Sequence, residues 1–224
     1  MHSPRGQPPR VRGGYLVRAL SLVGGLFLFA CGIVALLESE LGLSPWDVLN
    51  QGIERHSPLS FGVANIAVSI PVLLGAWALG VAPGVGTLAN AVLIGVFIDV
   101  LLAAGPVADL DERSLVFRAA LLPFGLALFG IGTAFYIGGA LGAGPRDSLM
   151  LALSARTGTR IGVVRGALEL SVLAVGVVLG GTFGVGTIAF ALLIGPIIEL
   201  SFAALARLPL AVPGCETPPT IERR

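Results

Sequence analysis

The sequence predicts an all-α membrane protein with six transmembrane helices, built as two inverted three-helix repeats, each with a short extra helix after its first span. Only 12% of the 224 residues are charged and 55% are hydrophobic, with a mean hydropathy of +0.92. Soluble domains carry about 25% charged residues. Apolar runs long enough to cross a lipid bilayer as helices recur along the chain. The sequence also repeats itself after 100 residues.

The repeat aligns the two halves of the chain without a gap. Chance similarity between apolar segments would match leucines, but it would not match Gly, Pro and Asp in register, so we interpret it as an internal duplication. The matched positions are Leu41 with Leu141, Gly42 with Gly142, Pro45 with Pro145, Asp47 with Asp147, Leu49 with Leu149, Gly62 with Gly162, Gly84-Val85-Gly86-Thr87 with Gly184-Val185-Gly186-Thr187, Leu93-Ile94-Gly95 with Leu193-Ile194-Gly195, and Asp99 with Glu199.

Each repeat holds three apolar spans. A duplicated unit with an odd number of spans inserts its second copy upside down, so the repeats are expected to be inverted. The predicted spans are 19–37, 61–79 and 85–104 in the first repeat, and 119–137, 161–179 and 185–206 in the second. The predicted organisation is a basic cytoplasmic tail at 1–14, the first repeat at 15–104, an outer linker at 105–114, the second repeat at 115–206 and a cytoplasmic tail at 207–224.

The arginines predict the orientation in the membrane. Eleven of the fourteen arginines fall on one side of a six-span arrangement, and only Arg55, Arg113 and Arg118 fall on the other. Because positive residues are enriched in cytoplasmic loops, both termini are expected in the cytoplasm.

Small residues four apart predict close helix contacts, since they let helix backbones approach in lipid. The glycines of the two GVGT motifs are interpreted as permitting tight chain reversal. These motifs lack the lysine of a phosphate-binding loop. The small-residue pairs are Ala76 with Gly80, Gly176 with Gly180, Ala91 with Gly95, and Ala191 with Gly195.

A short helix is expected after the first span of each repeat. Ser44 can cap it, Pro45 suits its first position, and Asp47 can accept from free backbone N–H groups. The twin segment at 144–147 keeps the Pro and the Asp. At about ten residues such a helix is too short to span a bilayer. It could lie in the interface with Trp46 as an anchor, or dip into the bundle as a broken element.

Polar residues within or beside the spans form the candidate substrate or ion site, because ionisable groups in membrane helices are costly. An Arg165–Glu199 ion pair is expected between neighbouring antiparallel helices, with Glu169 one turn from Arg165. Asn65 and Asp99 should be level, and Asp99 protonated or hydrated. These groups could equally be structural pairs near helix ends. The candidate residues are Asp47, Asn65, Asp99, Asp147, Arg165, Glu169 and Glu199.

Several function classes find no support in the sequence. It has no catalytic nucleophile and base set, so we expect no enzyme activity. Cys31, Cys215, His2 and His56 are too scattered for a metal site, and no cofactor is expected. No basic face with interleaved aromatics suggests nucleic-acid binding.

These features together resemble the YczE/YitT-like family of bacterial integral membrane proteins, in particular its YczE-type members. The resemblance covers roughly residues 15–205 and rests on Leu41-Gly42-x-x-Pro45-Trp46-Asp47-Val48-Leu49, Gly62, and the segment from Gly84-x-Gly86-Thr87 to Gly95-x-x-x-Asp99. The second repeat departs from it with Gly144 and Arg146 in place of Ser44 and Trp46. It implies a multi-pass inner-membrane protein and supplies no catalytic residues.

Two functions fit these observations. One is a small-solute or ion transporter that moves one repeat against the other. The alternative is a non-transporting accessory or regulatory membrane protein that acts through a partner. The expected partners are the lipid bilayer and a small solute or ion, with a membrane-protein partner or a second copy of the chain as further candidates.

Overall fold

The computed structural model describes residues 9–104 and 114–208, and the backbone of 211–212. Eight helices lie within these residues, and one two-residue strand pair, β1 (Arg10–Val11) with β2 (Ala211–Val212), departs from the all-α prediction. Most of both predicted tails, and the predicted outer linker at 105–114 apart from Ser114, lie outside the described residues. The helices are α1 (Tyr15–Ser39), α2 (Pro45–His56), α3 (Phe61–Ala78), α4 (Val85–Ala103), α5 (Leu115–Gly138), α6 (Pro145–Thr157), α7 (Ile161–Val178) and α8 (Val185–Ala206).

Six of these helices, all but α2 and α6, are long and apolar enough to cross a membrane. The six predicted spans are therefore confirmed, and α1 and α5 extend beyond their predicted ends. Large apolar side chains such as Leu74, Val100 and Leu192 are exposed on these helices. They fit contact with lipid, where an apolar surface carries no hydration cost.

The centre of the fold is the antiparallel pair of α1 and α5. Gly25 of α1 lies against the backbone of Gly132, and Gly32 lies against the backbone of Gly125. A Cβ at Gly25 would lie 2.5 Å from the backbone nitrogen of Tyr136, so the helices can approach this closely only with glycine there.

Each long central helix is also joined to the other through an arginine. Arg18 donates from Nε to the carbonyl oxygen of Gly139 at 2.8 Å. Arg118, which lies 100 residues later, donates from Nε to the carbonyl oxygen of Ser39 at 2.9 Å. Both bonds satisfy carbonyls at the C-terminal end of the facing helix, where a cation is favoured.

The glycine-rich segments at the starts of α4 and α8 form hydrogen bonds with the residues that precede the short helices. The N–H of Gly86 donates to the Leu141 carbonyl at 2.8 Å, and the N–H of Gly186 donates to the Leu41 carbonyl at 2.6 Å. A Cβ at Gly186 would lie 2.5 Å from the Gly42 carbonyl oxygen. These glycines therefore permit a close contact with the other half of the chain, which is a different role from the expected chain reversal.

Helix α2 is buried along most of its length, whereas α6 buries Pro145, Ser148 and Ala152 and exposes its last turn. Helix α2 packs against α3 and α7, and α6 packs against α3, α4 and α7. Trp46 is only 7% exposed, so it is not an interfacial anchor. Gln51 of α2 accepts, at Oε1, a hydrogen bond of 2.7 Å from the backbone N–H of Thr182, which lies in the turn after α7. For α2, the structure has the predicted placement in which protein buries the helix.

The two halves differ in how their last two helices pack. Helix α3 lies along α4, where Gly62 and Gly95 approach so closely that a Cβ on either would overlap the other's carbonyl oxygen. Helices α7 and α8, which are fully described, make little contact with each other. Within the described part of the chain, no neighbouring element comes within 4 Å of the Cβ position of Gly162 or Gly195. The predicted helix contact at Ala91 and Gly95 is present, whereas that at Ala191 and Gly195 is not formed.

We expect adjacent glycines in α1 to respond differently to substitution. Gly25→Ala should lower the free energy of unfolding by about 1–3 kcal/mol or more, because its methyl group would meet the backbone of α5. Gly24→Ala places its methyl group in open space and should raise it by up to about 1 kcal/mol, because alanine favours a helix more than glycine does. Reversible unfolding in mixed micelles measures both, and equal effects would contradict the central role of this contact.

Candidate functional site

A cavity of about 210 Å³ lies between the two halves of the chain. It reaches the side of the molecule where α5 ends and α6 and α7 begin, and both α7 and α8 contribute to its wall. Its aromatic lining residues are Phe29, Trp46, Phe129, Tyr136 and Phe190, and its polar lining residues are Asn90, Thr133, Arg146, Asp147, Arg165 and Glu169. A concave site with an apolar wall and a few polar groups is the usual form of a small-ligand site.

The N-terminal ends of the two short helices meet at this cavity. Trp46 and Arg146 each occupy the second position of their helix, and both line the cavity. The guanidinium carbon of Arg146 lies 5.5 Å from the centroid of the Trp46 ring. This distance is that of a cation–π contact.

Asp147 and the Arg165–Glu169 pair also line the cavity. Oδ2 of Asp147 accepts from the Tyr136 hydroxyl at 3.0 Å. Nε of Arg165 and Oε1 of Glu169 are 2.9 Å apart, one helical turn from each other on α7. The predicted Arg165–Glu199 ion pair is wrong, because α7 and α8 stand apart; Glu199 is exposed on α8 and does not line the cavity.

Asp47 follows Trp46 in α2. It is fully buried and, unlike Trp46, lines neither cavity. Its Oδ2 accepts from the Ser44 hydroxyl, and Ser44 Oγ accepts in turn from the Asp47 N–H at 3.3 Å. The predicted helix cap is therefore present, although Oδ1 of Asp47 has no hydrogen-bond partner. Burial raises the pKa of Asp47, and the nearby charge of Arg146 and the Ser44 hydroxyl oppose that rise.

Asn65 lines a second, smaller cavity of about 20 Å³ together with Asn50, Ser69, Asn90 and Arg146. This volume holds about one water molecule. The Oδ1 atom of Asn50 is buried here without a hydrogen-bond partner. Since Asn90 and Arg146 line both cavities, the smaller one is a polar extension of the larger.

Asp99 is not part of either cavity wall. It accepts from the Ser60 hydroxyl at 2.6 Å and from the Gly62 N–H at 2.8 Å, so it caps the start of α3. Asp99 therefore has a capping role at the start of α3 that the sequence did not predict. A carboxylate at a helix N-terminus is stabilised by the free N–H groups and by the positive end of the helix.

Sequence reasoning found Asp147, Arg165 and Glu169 in the main cavity but did not select Trp46, Arg146 or the aromatic wall. The missed signal was the mismatch between the repeats at Trp46 and Arg146. A duplicated position with two different residues can bring unlike groups together at the contact between the copies. Among the described residues, no group of three or more His, Cys, Asp or Glu is placed to hold a metal ion.

Substitution of Asp47 should change how stability depends on pH. Because the pKa of Asp47 is raised by folding, the folded state binds more protons above the ordinary carboxyl pKa of about 3.9. The free energy of unfolding therefore falls as pH rises through that window. Asp47→Asn should flatten the fall in Tm that begins above about pH 4. Ser44→Ala, which removes a partner of the carboxylate, should steepen it; the same slope in all three proteins would contradict this assignment.

Comparisons with known proteins identify relatives over most of the chain. A protein-family model described as a family of unknown function, DUF6198, matches residues 16–202. An uncharacterized protein of Haemophilus influenzae is 38% identical over 196 residues, which cover 87% of this chain and 84% of that protein. The uncharacterized membrane protein YczE of Bacillus subtilis is 36% identical over 184 residues, which cover 79% of this chain and 81% of YczE.

A further relative, the uncharacterized protein YyaS of Bacillus subtilis, is 27% identical over 191 residues, which cover 82% of this chain and 94% of YyaS. No solved structure matches the chain. The family match extends from α1 into the last part of α8 and so includes both short helices and both cavities. The chain therefore belongs to the DUF6198 family and is a multi-span membrane protein similar to YczE, as its sequence motifs indicated.

Proposed function

We propose that this protein is a secondary transporter for a small solute or ion, which works by moving one inverted repeat against the other in the bacterial inner membrane. Both termini are then cytoplasmic, and the protein is not an enzyme. The observation that carries the proposal is the cavity between the halves, open beside α7 and α8 while α3 and α4 are closed together.

Reciprocal contacts support the inverted repeat. Gly25 meets Gly132 while Gly32 meets Gly125, so each contact maps onto the other when 100 is added to one partner and subtracted from the other. The same exchange relates the Gly86–Leu141 and Gly186–Leu41 hydrogen bonds, and the bonds that Arg18 and Arg118 make. A two-fold axis between two copies produces such pairs.

The closed pair of helices defines a gate. In the first repeat, Gly62 and Gly95 bring α3 and α4 together, and the Asp99 carboxylate accepts from the Gly62 N–H at 2.8 Å. This gate lies on the outer side in the proposed topology. The cavity therefore opens towards the cytoplasm.

The second repeat carries the same gate residues in an open arrangement. Gly162 and Gly195 have room for side chains, and Glu199 is exposed. Closing α7 onto α8 would bring these glycines together and let Glu199 accept from the Gly162 N–H, as Asp99 does for Gly62. Exchange of the two arrangements between the repeats gives alternating access to the cavity.

Cysteine cross-linking tests the gate without knowledge of the substrate. In a background with Cys31 and Cys215 replaced by serine, we expect oxidation in membranes to link Gly162→Cys to Gly195→Cys. A disulfide requires Cα atoms within about 7 Å, which only the closed gate provides. Val178→Cys with Gly195→Cys is the control, since Val178 lies at the far end of α7. Absence of the 162–195 disulfide would contradict gate closure.

Transport itself is measured in proteoliposomes with an imposed proton or sodium gradient and a panel of labelled small acids, amines and neutral solutes. We expect gradient-driven uptake of at least one class. Asp99→Asn and Glu199→Gln should reduce it about tenfold or more, because each would weaken the cap of one closed gate by about 1.4 kcal/mol or more. Glu40→Gln, which removes only an exposed ion pair with Arg118, is the control.

The accessory role predicts a different result in the same assay. A protein that acts only through a partner needs no gate movement and no flux. Wild-type proteoliposomes that take up no tested solute, together with a stable co-purifying membrane protein, would overturn the transporter proposal in favour of that role.

A further inference from the structure

We infer that the ligand of the main cavity is a small organic anion, with its carboxylate bound by Arg146 and its apolar body held against the aromatic wall. This inference names the substrate class of the cavity and depends on the proposed transport function only for what happens to the ligand after binding. It rests on three properties of the cavity: its free donors, the partners of its acids, and its shape.

Arg146 supplies the free donors. Among the described residues its guanidinium makes no hydrogen bond or ion pair, and its central carbon lies 5.5 Å from the centroid of the Trp46 ring. A guanidinium has five N–H donors, which match the two oxygens of a carboxylate. Other arginines of the bundle are already bonded: Arg18 and Arg118 to backbone carbonyls, and Arg165 to Glu169.

Each of the two acids that line the cavity already has one polar partner. Asp147 accepts from the Tyr136 hydroxyl, and Glu169 is paired with Arg165. Asp47 is fully buried, bonded to Ser44 and absent from the cavity wall. Among the charged side chains of the described cavity wall, Arg146 is therefore the one without a hydrogen bond or ion pair, and it favours an anionic ligand.

The positive ends of α2 and α6 reinforce this preference. These helices have 12 and 13 residues, and their first turns, at Trp46 and Arg146, line the cavity. Free N–H groups and the aligned peptide dipoles favour an anion at this end of a helix. Paired half-helices whose N-termini point at an anionic group are a known arrangement in inverted-repeat transporters.

The cavity also selects an apolar body. The rings of Phe29, Phe129 and Phe190 form a continuous wall, with centroids 3.9 Å apart for the first pair and 5.0 Å apart for the second. At about 210 Å³ the cavity is smaller than the roughly 300–1,000 Å³ of sites for drug-sized ligands. A small acid with a flat or branched apolar part fits both the wall and the volume, whereas an inorganic anion leaves the wall uncovered.

The fluorescence of Trp46 provides a direct assay. The chain has two tryptophans, and the other, Trp77, is exposed on α3, so Trp77→Phe leaves Trp46 as the only reporter. The purified full chain in detergent is titrated with benzoate, benzyl alcohol and benzylamine, which share a ring and differ in charge. We expect a saturable change with benzoate at an affinity about 10- to 100-fold higher than for either analogue, the range for a hydrogen bond to a charged group.

Variants of α6 identify the residue responsible. Arg146→Gln should lose this 10- to 100-fold preference for benzoate. Arg146→Lys should keep part of it, because a lysine retains the charge without the planar fork. Arg156→Gln is the matched control, since Arg156 lies exposed on the same helix and outside the cavity. Size-exclusion elution and Tm establish that each variant is folded.

Four outcomes would overturn the inference. The first is equal affinity for benzoate and benzylamine, and the second is an unchanged benzoate affinity in Arg146→Gln. The third is nitrate or chloride binding as tightly as benzoate, and the fourth is no saturable response of Trp46. Because binding in detergent needs no gate movement, a benzoate site without a 162–195 disulfide would refute transport while leaving the ligand class in place.

Discussion

The structure depends on two backbone hydrogen bonds that cross between the halves, from Gly86 to Leu141 and from Gly186 to Leu41. Each holds the chain just before a short helix against the glycine-rich turn of the other half. Because these turns carry no Cβ at the contact, the short helices begin deep in the bundle and not on its surface. The meeting of Trp46 and Arg146, and with it the cavity, follows from this placement.

The sequence predicted the helices well because span length and apolar composition are local properties. The Ser44 cap was predictable for the same reason, since it depends on residues three apart. The polar contacts of each half were not predictable, because the repeat aligns equivalent residues and does not say which of them touch. Arg165 thus pairs within its own helix and not with Glu199, and Asp99 bonds to Ser60 and Gly62.

The differences between the repeats matter as much as their similarity. Trp46 corresponds to Arg146, and Asn90 corresponds to Phe190, and all four residues line the same cavity. A symmetric site would present every group twice, whereas this one has a cation on one side and an aromatic ring on the other. The glycines that the repeats share preserve the close backbone contacts. The residues that differ between the repeats make the cavity wall chemically asymmetric.

The glycine contact between α1 and α5 also determines when the protein can fold. Helix α5 is the most extensive partner of α1, and it is made only after the first four helices have left the ribosome. Until then the glycine face of α1 has only lipid or the insertion machinery to cover it. The two halves are consequently not independent domains that fold in turn, and the first half reaches its final packing only when the second is inserted.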